Sequence, residues 1–269
     1  MGVVNVTPDS FSDGGLFLEP DRAIAHGRVL LAEGADTLDI GGESTRPGAA
    51  PVAVEEELAR VEPVIAGLRD DGAPLSIDTS KVAVAAAAVE AGAAIVNDIT
   101  AFRDDEGMAD FCAERGVEVV LMHMQGDPRT MQENPTYEDV VDDVKAFLAE
   151  RIEFAVGAGV AEERISIDPG IGFGKTLDHN LELLARLGEL LDLGRPIVVG
   201  TSRKSFIGKI DGSPVDERQG GSIASSAIAA ANGASVVRVH EVAMTAEALR
   251  LVAAVLGPGD WQSPQPAPG

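Results

Sequence analysis

Short apolar runs alternate with longer stretches of helical periodicity along the whole chain. The apolar runs lie at 1–6, 37–40, 75–77, 94–96, 117–122, 165–167, 197–199 and 235–239. Runs this short, rich in Val and Ile and bounded by Gly, Pro or Asn, predict buried strands. Between them, 20–33, 54–71, 81–91, 105–115, 138–157, 178–191, 219–232 and 245–256 repeat their apolar residues every three to four positions, which predicts helices. Gly34, Gly72 and Gly92 stop the first three of these. Long Gly/Pro-containing loops fill 7–19 and 41–53.

Eight strand–helix units therefore follow one another without a change in composition. Alternating β and α imply a parallel sheet, and eight such units in this length predict an α/β fold, a single-domain (β/α)8 TIM barrel over 1–257. An open doubly wound sheet is the alternative, although neither two halves nor a linker is visible. Residues 258–269 (PGDWQSPQPAPG) are predicted to form a disordered C-terminal tail with only Trp261 to bury.

The stretch ISIDPGIGFGKT (165–176) shows where chemistry gathers. Its apolar run ends in a carboxylate, Asp168, at the C-terminal rim of the sheet, where such folds place their ligands. Gly170, Gly172 and Gly174 let backbone come close to a ligand, and Thr176 before Asp178 predicts a helix cap. The ending Gly174-Lys175-Thr176 imitates a phosphate loop, but Pro169 stands where that motif needs Gly. One such loop would be unremarked; all eight strand ends are polar. They carry Asn5, Asp39 with Glu43, Asp78, Asn97, His123, Asp168, Ser202-Arg203-Lys204, and Arg238 with His240. Asp78, Asn97 and Asp168 together suit a flat heterocycle presenting N–H donors, and Lys204 suits its carbonyl or ring nitrogen. Arg46, Arg238, His240 and Asn5 suit an anion where the last strand meets the first two. Few acidic residues lie near Arg238 in sequence, which argues against a purely structural ion pair there. His240 by itself fits a ligand-binding or a structural role equally.

A net charge of −23 argues against nucleic acid or an anionic membrane as partner, and requires any anion site to be built locally from Arg, Lys and backbone N–H. Cys112 is the only cysteine, and no apolar run reaches transmembrane length, so a cytoplasmic location is expected. The histidines show no zinc spacing.

The segments Asn5-Val-Thr-Pro-Asp-Ser-Phe-Ser-Asp13, Asp39-Ile-Gly-Gly-Glu-Ser-Thr-Arg-Pro-Gly48, Ser76-Ile-Asp-Thr79, Val96-Asn-Asp98, Leu121-Met-His-Met-Gln-Gly126, Asp168-Pro-Gly-Ile-Gly-Phe-Gly174, Ser202-Arg-Lys-Ser205 and Arg238-Val-His240 together resemble the dihydropteroate synthases, pterin-binding enzymes of folate biosynthesis and sulfonamide targets. The likeness spans nearly the whole chain in order. It implies a (β/α)8 barrel that joins 6-hydroxymethyl-7,8-dihydropterin diphosphate to p-aminobenzoate, giving dihydropteroate and diphosphate, in a homodimer using Mg2+. The resemblance puts the pterin on Asp78, Asn97, Met122, Asp168 and Lys204. Diphosphate falls to Asn5, Arg46, Arg238 and His240, with Mg2+ held through Asn5. The p-aminobenzoate falls among Phe11, Thr45, Pro47, Phe173, Lys204 and Ser205. The catalytic group would be Asp78, Asp168, Lys204 and Arg238.

The sequence departs from the family in that only Met1 precedes Gly2, where members carry a segment plugging the barrel floor; either the start is displaced or the floor is open. Loop one is unusually apolar past Gly15, so no catalytic carboxylate is expected there. A pterin-binding methyltransferase domain is the nearest rival, but it would not need Arg46, Arg238 and His240. A non-catalytic pterin binder and a sulfonamide-resistant synthase are further alternatives. Phe11 and Thr45-Arg46-Pro47 fit a drug-sensitive enzyme.

Overall fold

Val and Ile are the commonest residues of the runs that pair. The computed structural model describes residues 1–7, 19–45 and 48–257. Strands β1 (Gly2–Asn5), β2 (Leu38–Gly41), β3 (Leu75–Asp78), β4 (Ile95–Asp98), β5 (Glu118–Met122) and β6 (Ile165–Asp168) form one parallel sheet in sequence order. β7 (Val198–Val199) pairs with β8 (Val236–Val237). Parallel bridges Ile167–Ile197 and Gly2–Val239 join these two sheets at both edges, so the ring closes. At the second seam the Val3 N–H donates to Val239 O and the Val239 N–H to Met1 O, both at 3.0 Å. The fold is the (β/α)8 barrel that the alternation predicts, without exposed sheet edges.

Strand alternation sorts the residues between two environments. Val4, Ile40, Ile77, Val96 and Leu121 point outward and pack with the helices in the largest core cluster. Ile95, Val120, Val198 and Val236 pack together as a separate cluster, the barrel's own interior. Two residues further along, on the same face, stand Asn97, Met122 and Arg238. The register places Asn5 beside Gly41, Gly41 beside Asp78, and Asp78 beside Asn97. Polar strand ends thus share one mouth because alternate positions of each strand face the barrel interior.

The surrounding helices are α1 (Glu19–Ala32), α2 (Val54–Leu68), α3 (Val82–Ala91), α4 (Met108–Arg115), α5 (Val140–Gly157), α6 (Leu177–Ala185), α7 (Ser205–Asp211), α8 (Gln219–Ala231) and α9 (Val242–Leu256). Thr176 caps α6 as its sequence predicts: its hydroxyl accepts from the His179 N–H and the His179 ring accepts from the Thr176 N–H, each at 3.2 Å. Two details differ from the sequence pattern. The helix over 178–191 breaks at Arg186, and Leu187–Leu193 continues as 3-10 turns. The short helix α7 has no counterpart among the predicted helices, because Gly208 and the stop at Gly212 weaken its periodicity. Among the described residues no helix is long and apolar enough to cross a membrane. The predicted tail at 258–269 lies outside the described residues.

Candidate functional site

Asp39 lies on the inward face of β2 because Leu38 and Ile40 take the outward one. It is fully buried, and its Oδ2 accepts from Arg238 Nε at 2.5 Å and from Asn97 Nδ2 at 3.2 Å. Arg238 also donates through an NH2 group to Asp78 Oδ2 at 2.8 Å. Few carboxylates flank Arg238 in sequence, which argued against a purely structural ion pair, yet the barrel brings two to it and the guanidinium is paired. The cause is closure: residues 160 and 199 positions away in sequence stand on facing strands. Asp39 Oδ1 is buried without a hydrogen-bond partner among the described residues.

Electrostatics follow from this crowding. Burial pushes the Asp78 carboxyl up to about 7, with Arg238 opposing and Asp39, Glu57 and Asp98 adding to the rise. Burial also pushes the Asp168 carboxyl upward, against Lys204, the Gly170 N–H, Lys175 and Arg238. The Gly170 N–H donates to Asp168 Oδ1 at 2.7 Å and fixes that side chain at the root of its loop.

The loop after β6 is laid against the loop after β5. Gly170 has φ +67°, and a Cβ there would fall on the His123 carbonyl oxygen. Gly174, at φ +61°, would put one 2.6 Å from Gln125 O, so only glycine allows the approach. Gln132 Nε2 donates to Gly172 O and the Tyr137 hydroxyl to Gly174 O, both at 2.6 Å. Two lysines hold this loop. Lys204 donates to Ile171 O, and its Nζ stands 4.3 Å from the centroid of the Phe173 ring. Burial lowers its pKa to about 8, with Asp168 opposing.

Lys175, only 1% exposed, donates to Phe173 O at 3.0 Å and lies 2.9 Å from His123 Nδ1. Burial holds its amine well below the usual lysine range. Burial, Lys175 and Arg103 push His123 down to about 2, so its ring stays neutral beside the lysine. In the sequence Lys175 stands out only within the rejected phosphate motif; a lone Lys after a glycine carries no sign of burial.

His240 is engaged too: its Nδ1 lies 2.8 Å from Ser202 Oγ, which donates to Glu241 Oε2 at 3.0 Å. After β4, Asp98 accepts from the Thr100 N–H at 2.7 Å and the Phe102 N–H at 2.9 Å, and Arg151 Nε donates to Ala101 O at 2.8 Å. These bonds hold Ala101 and Phe102 at φ 53° and 64° and turn Ile99 into the mouth.

Of the expected residues, Asn5, Asp78, Met122 and Asp168 end their strands, Asn97 stands one residue before the end of β4, and Arg238 and His240 follow β8. Met122 packs with Ile99, Met124 and Met131, and Phe173 rests on that cluster. Lys204 and Ser205 open α7, with Ser205 exposed. Thr45 is half-buried and lines, with Asp78, a cavity of about 300 Å3 at the mouth. Phe11, Arg46 and Pro47 lie outside the described residues. Asp39 and Lys175 are the participants to which sequence reasoning gives no role. Asp39 is legible as a carboxylate on the inward phase of an apolar strand.

A family model described as pterin binding enzyme matches residues 1–240. The dihydropteroate synthase of Escherichia coli (strain K12) is 48% identical over 257 residues, covering 95% of this chain and 91% of that one. A solved dihydropteroate synthase of Xanthomonas albilineans with 4-aminobenzoic acid superposes with TM-score 0.90 at 51% identity, over 95% of this chain and 92% of that chain. The same organism's enzyme in complex with 7,8-dihydropteroate gives TM-score 0.87 at 48% identity, again over 95% and 92%. The chain belongs to the pterin-binding enzyme family and, within it, to the dihydropteroate synthases.

Proposed function

We propose that this chain condenses 6-hydroxymethyl-7,8-dihydropterin diphosphate with p-aminobenzoate, forming 7,8-dihydropteroate and diphosphate. The observation that carries it is the gathering of Asp78, Asn97, Asp168, Lys204 and Arg238 at one barrel mouth, in a chain so similar to synthases seen with 4-aminobenzoic acid and dihydropteroate. Asp78, Asn97 and Asp168 would take the N–H edge of the pterin, and Met122 its face. A carboxylate accepts two parallel N–H bonds, and burial strengthens them.

The C–O bond to diphosphate breaks, a C–N bond to the aniline nitrogen forms, and that nitrogen then gives up a proton. Positive charge developing on the pterin methylene and ring would be stabilised by Asp78 and Asp168, which face the mouth together. The weakly nucleophilic aniline requires positioning rather than activation. Phe173, Lys204, Ser205 and Thr45, with Phe11 and Pro47, would hold it. Arg238, Arg46, His240 and Asn5 would take the diphosphate.

The donor set fits Mg2+ delivered with that diphosphate. Among the described residues no cluster of three His, Cys, Asp or Glu could hold a metal alone, while Asn5 offers one hard oxygen at the mouth. Mg2+ ordinarily keeps waters and substrate phosphates with only one or two protein ligands. When bound, it would neutralise charge on the leaving diphosphate.

A cytoplasmic homodimer is part of this reading; Ile228 on α8 and Leu251 and Val255 on α9 are exposed apolar residues suited to a subunit contact. A coupled assay of diphosphate release tests the function. Release should depend on both the pterin diphosphate and p-aminobenzoate, and its absence with both present would refute the assignment.

A further inference from the structure

The loop between β2 and α2 is tied down by a charge cluster built on the buried Glu57, outside the residues given to substrate. Lys81, at the N-terminus of α3, donates to Glu43 on that loop and, at 2.5 Å, to Glu57 Oε2 on α2. Glu57 is buried, and its other oxygen accepts from Thr79 Oγ1 at 2.8 Å, one residue past Asp78. Glu43 Oε1 accepts from the Val52 N–H at 3.3 Å, so one side chain joins the loop's entry to its exit.

Packing fixes the root of the loop as well. A Cβ on Gly42 would stand 2.8 Å from Val61 Cγ1 and 3.0 Å from Glu57 Cγ, and Arg60 NH1 donates to Gly42 O at 2.6 Å. Glu43, Glu57 and Thr79 line the same cavity as Thr45 and Asp78. One cation thus connects the loop carrying Thr45 to the strand end carrying Asp78.

We propose that Lys81, through Glu43, is a positioning residue for the aminobenzoate half of the site: it sets the loop after β2 so that Thr45 stands at the mouth. The inference rests on the reading of Thr45 as an aminobenzoate contact. Glu57 anchors Lys81 from below, and its bond to Thr79 keeps that anchor in step with β3. A break between Lys81 and Glu43 frees the loop and leaves Asp78, Asn97 and Asp168 in place, so the two substrates respond differently.

The test compares Glu43→Gln, Lys81→Met and the double variant in the full chain. Glu43→Gln keeps the Lys81–Glu57–Thr79 pairing and decides the matter where Lys81→Met, which strands Glu57, fails to fold. Loss of a charged hydrogen bond predicts a rise of roughly tenfold in KM for p-aminobenzoate, with KM for the pterin diphosphate unchanged. Because both substitutions remove the same Lys81–Glu43 ion pair, the double variant should be no worse than Lys81→Met. Equal increases in both KM values, or no increase in Glu43→Gln, overturn the proposal. Amide hydrogen exchange over 42–52 reads the same clamp without turnover. It should accelerate in Glu43→Gln, and unchanged exchange also overturns the proposal. A wild-type enzyme that releases no diphosphate with both substrates, yet shows this acceleration, refutes the proposed function and leaves the clamp standing.

Discussion

Arg238 donates to Asp78 across the barrel, NH2 to Oδ2 at 2.8 Å, although 160 positions separate them in sequence. With the 2.5 Å bond to Asp39, the guanidinium compensates two carboxylates in one closed space. Arg238→Met should therefore destabilise the fold by about 3–5 kcal/mol, the usual cost of leaving buried charge unpaired. Arg238→Met/Asp39→Asn should recover part of it. Denaturant unfolding checks both, and an unchanged midpoint for the single variant would show that the pairs contribute nothing to folding.

Asp78 gives the site a pH dependence. Its carboxyl, pushed up to about 7 by burial, still holds a proton in the folded chain over a range where the unfolded chain has lost it. This group's contribution to stability consequently falls as pH rises from about 4 to about 7. Binding runs the other way, because two N–H donors require the ionised form. Affinity for a pterin should increase as pH rises through about 7, with a proton released, and Asp78→Asn should abolish that dependence. Calorimetric titration in buffers of different ionisation enthalpy measures the proton, and affinity independent of pH would refute the role.

Gly170→Ala should be far more damaging than Gly116→Ala. Both glycines have positive φ, +67° and +62°, so each substitution carries a left-handed penalty of about 1–2 kcal/mol. At Gly116 a Cβ meets nothing within 4 Å, whereas at Gly170 it meets the His123 carbonyl. Thermal unfolding and turnover of the two variants should separate, Gly170→Ala losing both. Equal shifts would mean that the two loops yield freely.

The proposed diphosphate ligands imply ordered binding. If Asn5 and Arg46 hold diphosphate with Mg2+, that charge would also arrange the loops that carry Phe11 and Pro47. A sulfonamide should then bind weakly to the free enzyme and tightly with Mg2+ and diphosphate present. Arg46→Ala should reduce this coupling, and Asn5→Ala should raise the Mg2+ requirement. Titration of a sulfonamide with and without Mg2+-diphosphate decides it, and equal affinity in both would show a preformed pocket.

The pattern of short apolar runs and helical stretches determined the order of elements and the parallel sheet, because strand and helix periods are local properties of neighbouring residues, whereas the choice of a closed barrel over an open sheet rests on the Gly2–Val239 and Ile167–Ile197 bridges. Strand alternation likewise made the polar mouth legible: a residue two positions beyond an inward apolar one shares its face. Thr176 as a cap was equally local, since its partner lies three residues away. The partners of Arg238, the burial of Lys175 against His123 and the bridge from Lys81 to Glu43 and Glu57 were decided only when the ring closed and the loops packed. Those contacts join residues between 24 and 199 positions apart, and no period in the chain encodes which long side chain will meet which carboxylate. Helix α7 and the end of α6 at Ala185 were also absent from the pattern, where local helix preference is weak.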